Sequence, residues 1–189
     1  MNTYKLKIGK LERELPIIKI KDDLAIASFV ILGDTELITS AAPLIAQGLR
    51  DIEVIVTAEA KGIPIAYEVS KQLGMKNYVV ARKSIKPYMK DPIVEEVFSI
   101  TTQKKQVLCL DKKDGDSIKG KRVAIIDDVI STGESLKTIE SLVKKAEGIV
   151  AAKAAILAEG DAAKRKDIIY IEKLPLFKVD KDGNINILE

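Results

Sequence analysis

The stretch Val123-Ala124-Ile125-Ile126-Asp127-Asp128-Val129-Ile130-Ser131-Thr132-Gly133-Glu134-Ser135 constrains this chain more than any other. The run Val123 to Ile126 has no polar face, so as a strand it must be covered on both sides. Two adjacent carboxylates close it, a turn with hydroxyls and glycine follows, and a helix is predicted from about Glu134 to Lys145. A covered strand that hands over directly to a helix is half of a parallel α/β unit. The rhythm repeats. Val54 to Thr57 predicts a buried strand, Ala58 to Gly62 a turn, and Ile63 to Leu73 a helix stopped by Gly74. Tyr78 to Ala81, Gly148 to Leu157 and a last strand at Ile168 to Ile171 complete a parallel sheet with helices on both faces.

The flanking segments are less regular. Tyr4 to Ile8, Leu15 to Ile20 and Leu24 to Leu32 predict strands, and Asp34 caps a helix running to about Gln47, where Gly48 stops it. Pro43 predicts a kink there, or two shorter pieces. Lys83 to Glu95 is charged and irregular, Val97 to Thr101 and Gln106 to Leu110 predict a hairpin, and Asp111 to Lys121 reads as a polar connection. A long irregular insertion in a compact α/β domain is usually functional or disordered.

At 189 residues the chain fits one domain with a core of its own. The absence of His removes the Ser-His-Asp triad and His-ligated zinc. The lone Cys109 removes an intrachain disulfide, fits a reducing compartment, and sits in an apolar run as a core residue. Lys+Arg 31 against Asp+Glu 28 leaves +3, too little to mark a nucleic-acid binder. The basic clusters Lys119–Arg122 and Lys164–Lys166 read as solvated faces. Gly115-x-x-x-x-Gly120-Lys121 imitates a P-loop, but Arg122 replaces the Ser/Thr and the segment precedes a strand. The longest apolar stretch, Leu24 to Leu32, is far short of the ~20 residues a spanning helix needs. The expectation is a cytoplasmic protein with neither nucleic-acid nor membrane partners.

The second half of the opening motif suits a phosphate. Backbone N–H groups of the turn form an anion nest, the helix start adds positive dipole, and Ser131, Thr132 and Ser135 add hydroxyl donors. Asp127 and Asp128 would repel a phosphate, which points to a ligand with phosphate at one end and a diol or bound Mg²⁺ at the other. A ribose 5-phosphate is such a ligand. Thr57-Ala58-Glu59-Ala60-Lys61-Gly62 is a second strand-to-helix turn able to meet an anion, or else a bland connection.

Together these residues resemble the type I phosphoribosyltransferase family: apolar strand, Asp-Asp, two apolar positions, Thr-Gly turn. Glu134 stands where many members carry a second glycine. Glu59-Ala60-Lys61-Gly62 resembles the pyrophosphate loop, closest to the adenine enzymes. Tyr78-Val79-Val80-Ala81-Arg82-Lys83 resembles the basic strand end of the adenine and xanthine enzymes. The resemblance implies a single domain over 1–189, with a variable hood over 1–50, a core over 51–171 and a mobile catalytic loop over Lys83 to Lys105.

It also implies transfer of a phosphoribosyl group from 5-phosphoribosyl-1-pyrophosphate (PRPP) to a purine base, with release of pyrophosphate, as in purine salvage. Asp127 and Asp128 would hold the ribose hydroxyls. Ser131, Thr132, Gly133, Glu134 (through its backbone) and Ser135 would hold the 5-phosphate. Glu59, Ala60, Lys61 and Gly62 would form the pyrophosphate loop, with Arg82 and Lys83 as catalytic cations. Mg²⁺ would enter on the substrate's pyrophosphate and ribose hydroxyls without a dedicated protein ligand, and a homodimer is implied.

Gly160 stands where xanthine enzymes carry a lysine that donates to an oxo group, so adenine is expected over hypoxanthine, guanine and xanthine. Phe29 is a candidate wall for the base or a plain core residue, and Glu159 a candidate base contact. The competing readings are a xanthine or hypoxanthine/guanine enzyme, and a non-catalytic PRPP-sensing regulator of the same fold. The first fifty residues lack a basic recognition helix, which argues against a DNA-binding regulator.

Overall fold

The computed structural model describes residues 3–98 and 105–188. Its centre is a five-stranded parallel sheet made of β4 (Val54–Ala58), β5 (Val79–Ala81), β8 (Arg122–Ile130), β9 (Ile149–Glu159) and β10 (Ile169–Leu174), in the spatial order β10-β9-β8-β4-β5. Alternate residues of these strands feed two separate cores. Ile55, Ala124, Ile126, Ala154 and Ile156 pack with α1 (Thr35–Gly48) and α2 (Gly62–Gln72). Val54, Val56, Val123, Ile125 and Ala155 pack on the other face with α4 (Glu134–Lys145) and Ile118 of α3 (Lys112–Ile118). This is the two-sided coverage that continuous apolar strands demand. α4 spans the residues predicted for it.

A second, antiparallel sheet has the order β1-β2-β3-β11-β12. β1 (Thr3–Ile8), β2 (Leu11–Lys21) and β3 (Leu24–Ala27) are N-terminal; β11 (Leu176–Val179) and β12 (Ile185–Leu188) are C-terminal. The small sheet joins both ends of the chain, whereas α1 packs on the main sheet. Ile168 to Ile171 is not the last strand, because the chain continues through β11 and β12.

Other expectations change for local reasons. β3 stops at Ala27, and residues 28–34 cross to α1 without regular structure. Pro43 lies inside a single 14-residue α1. Its missing donor is outweighed by the Asp34 cap, which accepts the Leu37 N–H at 3.1 Å, and by burial of Leu37, Ile38, Ala41, Ala42 and Ile45. The polar connection Asp111–Lys121 contains α3. Its short apolar face, Gly115 and Ile118, is buried, too small a signal for periodicity to show.

The segment expected to be irregular between Lys83 and Glu95 already enters a strand at Ile93. β6 (Ile93–Phe98) and β7 (Lys105–Leu110) form an antiparallel hairpin, tied to α4 by Lys145 Nζ at 2.5 Å from Glu95 Oε2 and 2.9 Å from the Val94 carbonyl. Residues 99–104, which belong to the expected loop Lys83 to Lys105 and include the end of the strand expected over Val97 to Thr101, lie outside the described residues. Cys109 is fully buried, as expected of a core residue. Among the described residues no helix is long and apolar enough to cross a membrane.

Candidate functional site

The parallel sheet changes winding direction between β4 and β8. From β4 the chain moves outward to β5; from β8 it moves the other way to β9 and β10. In open α/β sheets ligands bind in the crevice at the carboxyl ends of strands at such a switch point. Both polar turns singled out in the sequence lie there. Asp127 and Asp128 lie in the C-terminal half of β8, and Glu59–Gly62 link β4 to α2.

The turns touch. Lys61 Nζ is 2.8 Å from Asp128 Oδ2, with the Asp128 side chain 4% exposed and that of Lys61 47%. Gly62 comes so close to β8 that a methyl group on it would lie 2.1 Å from Thr57 Oγ1 and 3.0 Å from Asp127 Oδ1. Only glycine permits this approach. Asp127 accepts the Asp128 N–H at 2.9 Å. Burial raises the Asp127 carboxyl well above the ordinary carboxylate range, and the Asp128 charge beside it acts in the same direction. Two crowded carboxylates are poised to accept from hydroxyls or to meet a cation.

Downstream of β8 the chain turns through Ser131, Thr132 and Gly133 into α4. Gly133 has φ +81°, a left-handed conformation that glycine adopts freely. A cavity of about 90 Å³ lies in the turn, bounded by Asp127, Ser131, Thr132, Gly133 and Ser135. The first N–H groups of α4 lack intrahelical acceptors, and Glu134 N–H reaches Thr132 Oγ1 at a long 3.5 Å. Ser131, Thr132, Glu134 and Ser135 are exposed. The result is an anion-binding helix start with hydroxyls around it.

On the other side, Glu59 organises the basic strand end. Its carboxylate accepts the Lys83 N–H at 2.7 Å and stands 2.8 Å from Arg82 Nε. Arg82 is further fixed by backbone bonds in both directions with Cys109, at 2.8 and 2.9 Å. The Lys83 side chain and Ala60 are exposed.

A larger cavity, about 380 Å³, adjoins the turn through Val129 and Ser131. Its apolar walls are Ile26, Phe29, Val129 and Leu174, and its polar groups include Lys61, Ser131 and Glu159. Phe29 thus serves both readings: it is 7% exposed and belongs to the core cluster while lining the cavity. Burial raises the Glu159 carboxyl above its ordinary value, opposed by the Ser131 hydroxyl and the Lys61 charge.

Sequence reading missed the walls Ile26, Val129 and Leu174, and the place of Lys61 in this cavity. It also missed Arg165, read as a solvated cation. Its side chain is 27% exposed and packs on the turn, where a methyl group on Gly133 would lie 2.7 Å from Nη1.

Comparison with known proteins agrees with this geometry. The phosphoribosyl transferase domain model matches residues 35–182. The chain is 35% identical over 167 residues to a hypoxanthine/guanine phosphoribosyltransferase of Methanococcus voltae, covering 87% of this chain and 85% of that one. It is 31% identical over 148 residues to an adenine phosphoribosyltransferase of Thermosipho africanus, covering 76% and 82%. The fold is similar to the solved adenine phosphoribosyltransferase of Rhodothermus marinus, with TM-score 0.65, 20% identity, and coverage of 91% and 94%. With its switch-point crevice, its Asp-Asp strand and its hydroxyl- and glycine-containing turn, the chain belongs to the type I phosphoribosyltransferase family, in the purine branch.

Proposed function

We propose that the chain transfers the 5-phosphoribosyl group of PRPP to a 6-oxopurine base, giving a nucleoside monophosphate and pyrophosphate. The observation that carries this reading is the meeting of two anion-binding turns at Lys61 and Asp128, 2.8 Å apart, beside a cavity with apolar walls. One ligand with a phosphate at each end and a diol between them would use both turns.

In this reading Ser131, Thr132, Gly133, Glu134 and Ser135 hold the 5-phosphate, and Asp127 and Asp128 accept the ribose hydroxyls. Gly62, Arg82 and Lys83 face the pyrophosphate, with Glu59 fixing the orientation of the basic strand end, and Lys61 turns instead to the cavity for the base. The bond from C1′ to the pyrophosphate oxygen breaks as the bond from C1′ to a base nitrogen forms. The protein's contribution is alignment and charge neutralisation. The crowded Asp127–Asp128 pair fits a substrate-borne divalent cation, and Mg²⁺ would add neutralisation of the leaving pyrophosphate. The reading includes a homodimer; Ile85 and Tyr88, which follow Lys83, are exposed apolar side chains at 54% and 66%.

The choice of base rests on Lys61. The expectation of adenine assumed that no cation reaches the base, because Gly160 follows β9. Lys61 lines the base-sized cavity from a different element. Once ribose hydroxyls engage Asp128, the Lys61 ammonium can donate to an exocyclic oxygen. The Methanococcus voltae relative named for hypoxanthine and guanine leans the same way. Adenine is the second reading, supported by Gly160 and by the Thermosipho relative. Steady-state kcat/KM for hypoxanthine, guanine, xanthine and adenine at saturating PRPP and Mg²⁺ tests the choice. The expected order puts hypoxanthine or guanine first; adenine first would restore the second reading.

A further inference from the structure

Arg165 follows the 3₁₀ turn Gly160–Lys164 at the end of β9, and its guanidinium is fixed on one edge. Nε donates to Asp167 Oδ1 at 2.9 Å and Nη2 to Asp167 Oδ2 at 2.8 Å. That planar fork leaves less freedom to lose when a further bond forms. Asp167 is itself held, because Lys153 Nζ donates to its Oδ2 at 2.7 Å and to Glu140 Oε1 of α4 at 3.1 Å. The chain Arg165–Asp167–Lys153–Glu140 thus fastens the guanidinium to the helix whose N-terminus forms the phosphate turn. The edge bearing Nη1 takes no part in the fork. It lies against Gly133, where an added methyl group would be 2.7 Å away.

This arrangement suits an anion better than a structural ion pair. An arginine that only neutralised Asp167 could extend into solvent. Here it is braced by a carboxylate on one side and presses its open donor edge on the central residue of an anion-binding turn. Hydroxyls and backbone N–H groups supply that turn with partial charges only, whereas a guanidinium supplies a full one.

We propose that Arg165 is a phosphate-recognition residue, donating through Nη1 to the 5-phosphate of the phosphoribosyl ligand in the Ser131–Ser135 turn. The inference rests on the phosphoribosyl reading above and adds to it a cation from outside the motif. Asp167 is then a positioning residue, acting through the orientation of Arg165.

Calorimetric binding of ribose 5-phosphate, a nucleoside 5′-monophosphate, the matching nucleoside and pyrophosphate tests the assignment in wild type, Arg165→Ala, Arg165→Lys and Asp167→Asn. Arg165→Ala is expected to weaken both 5-phosphate ligands about 10- to 100-fold, the range of a charge-assisted hydrogen bond. Nucleoside and pyrophosphate affinities should stay within about twofold. Arg165→Lys should recover part of the loss, and Asp167→Asn should show a smaller loss of the same selectivity. Unchanged 5-phosphate affinity in Arg165→Ala overturns the assignment, as does an equal loss for all four ligands. A wild-type protein that binds neither 5-phosphate ligand instead overturns the phosphoribosyl reading itself.

Discussion

Lys61 Nζ stands 2.8 Å from Asp128 Oδ2, so a turn after β4 and the end of β8 are joined by an ion pair across the switch point. The carboxylate is buried and the lysine half exposed. The pair's worth therefore lies between that of a surface pair and the 3–5 kcal/mol lost when a buried pair is broken. Lys61→Met should destabilise the protein by about 1–3 kcal/mol in urea unfolding and weaken 6-oxopurine affinity. Unchanged stability and affinity would show that the contact is incidental.

The double change Asp127→Asn with Asp128→Asn should fold and lose PRPP affinity. Each charge-assisted hydrogen bond to a ribose hydroxyl is worth about 1.5–3 kcal/mol. Wild-type kcat/KM for PRPP in the double variant would remove the carboxylates from the ribose site.

Asp127 has a pH consequence without ligand. Its folded carboxyl is raised from the ordinary 3.8 to about 7. Between those values the folded state keeps a proton that the unfolded state has lost, so this group's contribution to stability falls as pH rises through the window. Asp127→Asn should stabilise the free protein above pH 7, with the gain vanishing below pH 4. Unfolding curves across pH 4–8 check the sign, and a variant less stable than wild type at pH 7.5 would contradict it.

Gly62→Ala should cost about 1–3 kcal/mol by overpacking, because its methyl group would overlap Thr57 Oγ1. Thr57 Oγ1 is buried without a hydrogen-bond partner. Adding Thr57→Ala should recover part of the loss, read as coupling in a double-mutant cycle. Additive effects would mean that the close approach is not the cause.

Glu59→Ala should free Arg82 and the Lys83 backbone. The expected outcome is weaker pyrophosphate binding, by about tenfold for one charged hydrogen bond, with nucleoside monophosphate affinity retained. Loss of both in parallel would point to general disruption of the β4–α2 turn.

What could be read from the sequence was what the chain holds locally. The strand, Asp-Asp, turn and helix of β8 and α4 are one continuous stretch, and each face of the strand is uniformly apolar. The β11–β12 pair was not legible. Four-residue strands such as Leu176–Val179 carry little pattern, and their partner β3 lies about 150 residues away in the chain. The Lys61–Asp128 contact depends on β4 and β8 being neighbours, which periodicity does not specify. The 380 Å³ cavity failed to show for the same reason, since Phe29, Val129, Glu159 and Leu174 come from four separate segments. Arg165 was hidden because a basic cluster looks the same in sequence whether it faces solvent or a glycine turn.

Phosphorus NMR of the protein with PRPP, Mg²⁺ and hypoxanthine or guanine tests the central claim most directly. PRPP signals should give way to equal amounts of pyrophosphate and a nucleoside monophosphate, only when base is present. The Asp127→Asn, Asp128→Asn protein should slow this markedly. Binding of PRPP with no conversion for any of the four purines would contradict transfer and favour a PRPP-sensing regulator of the same fold.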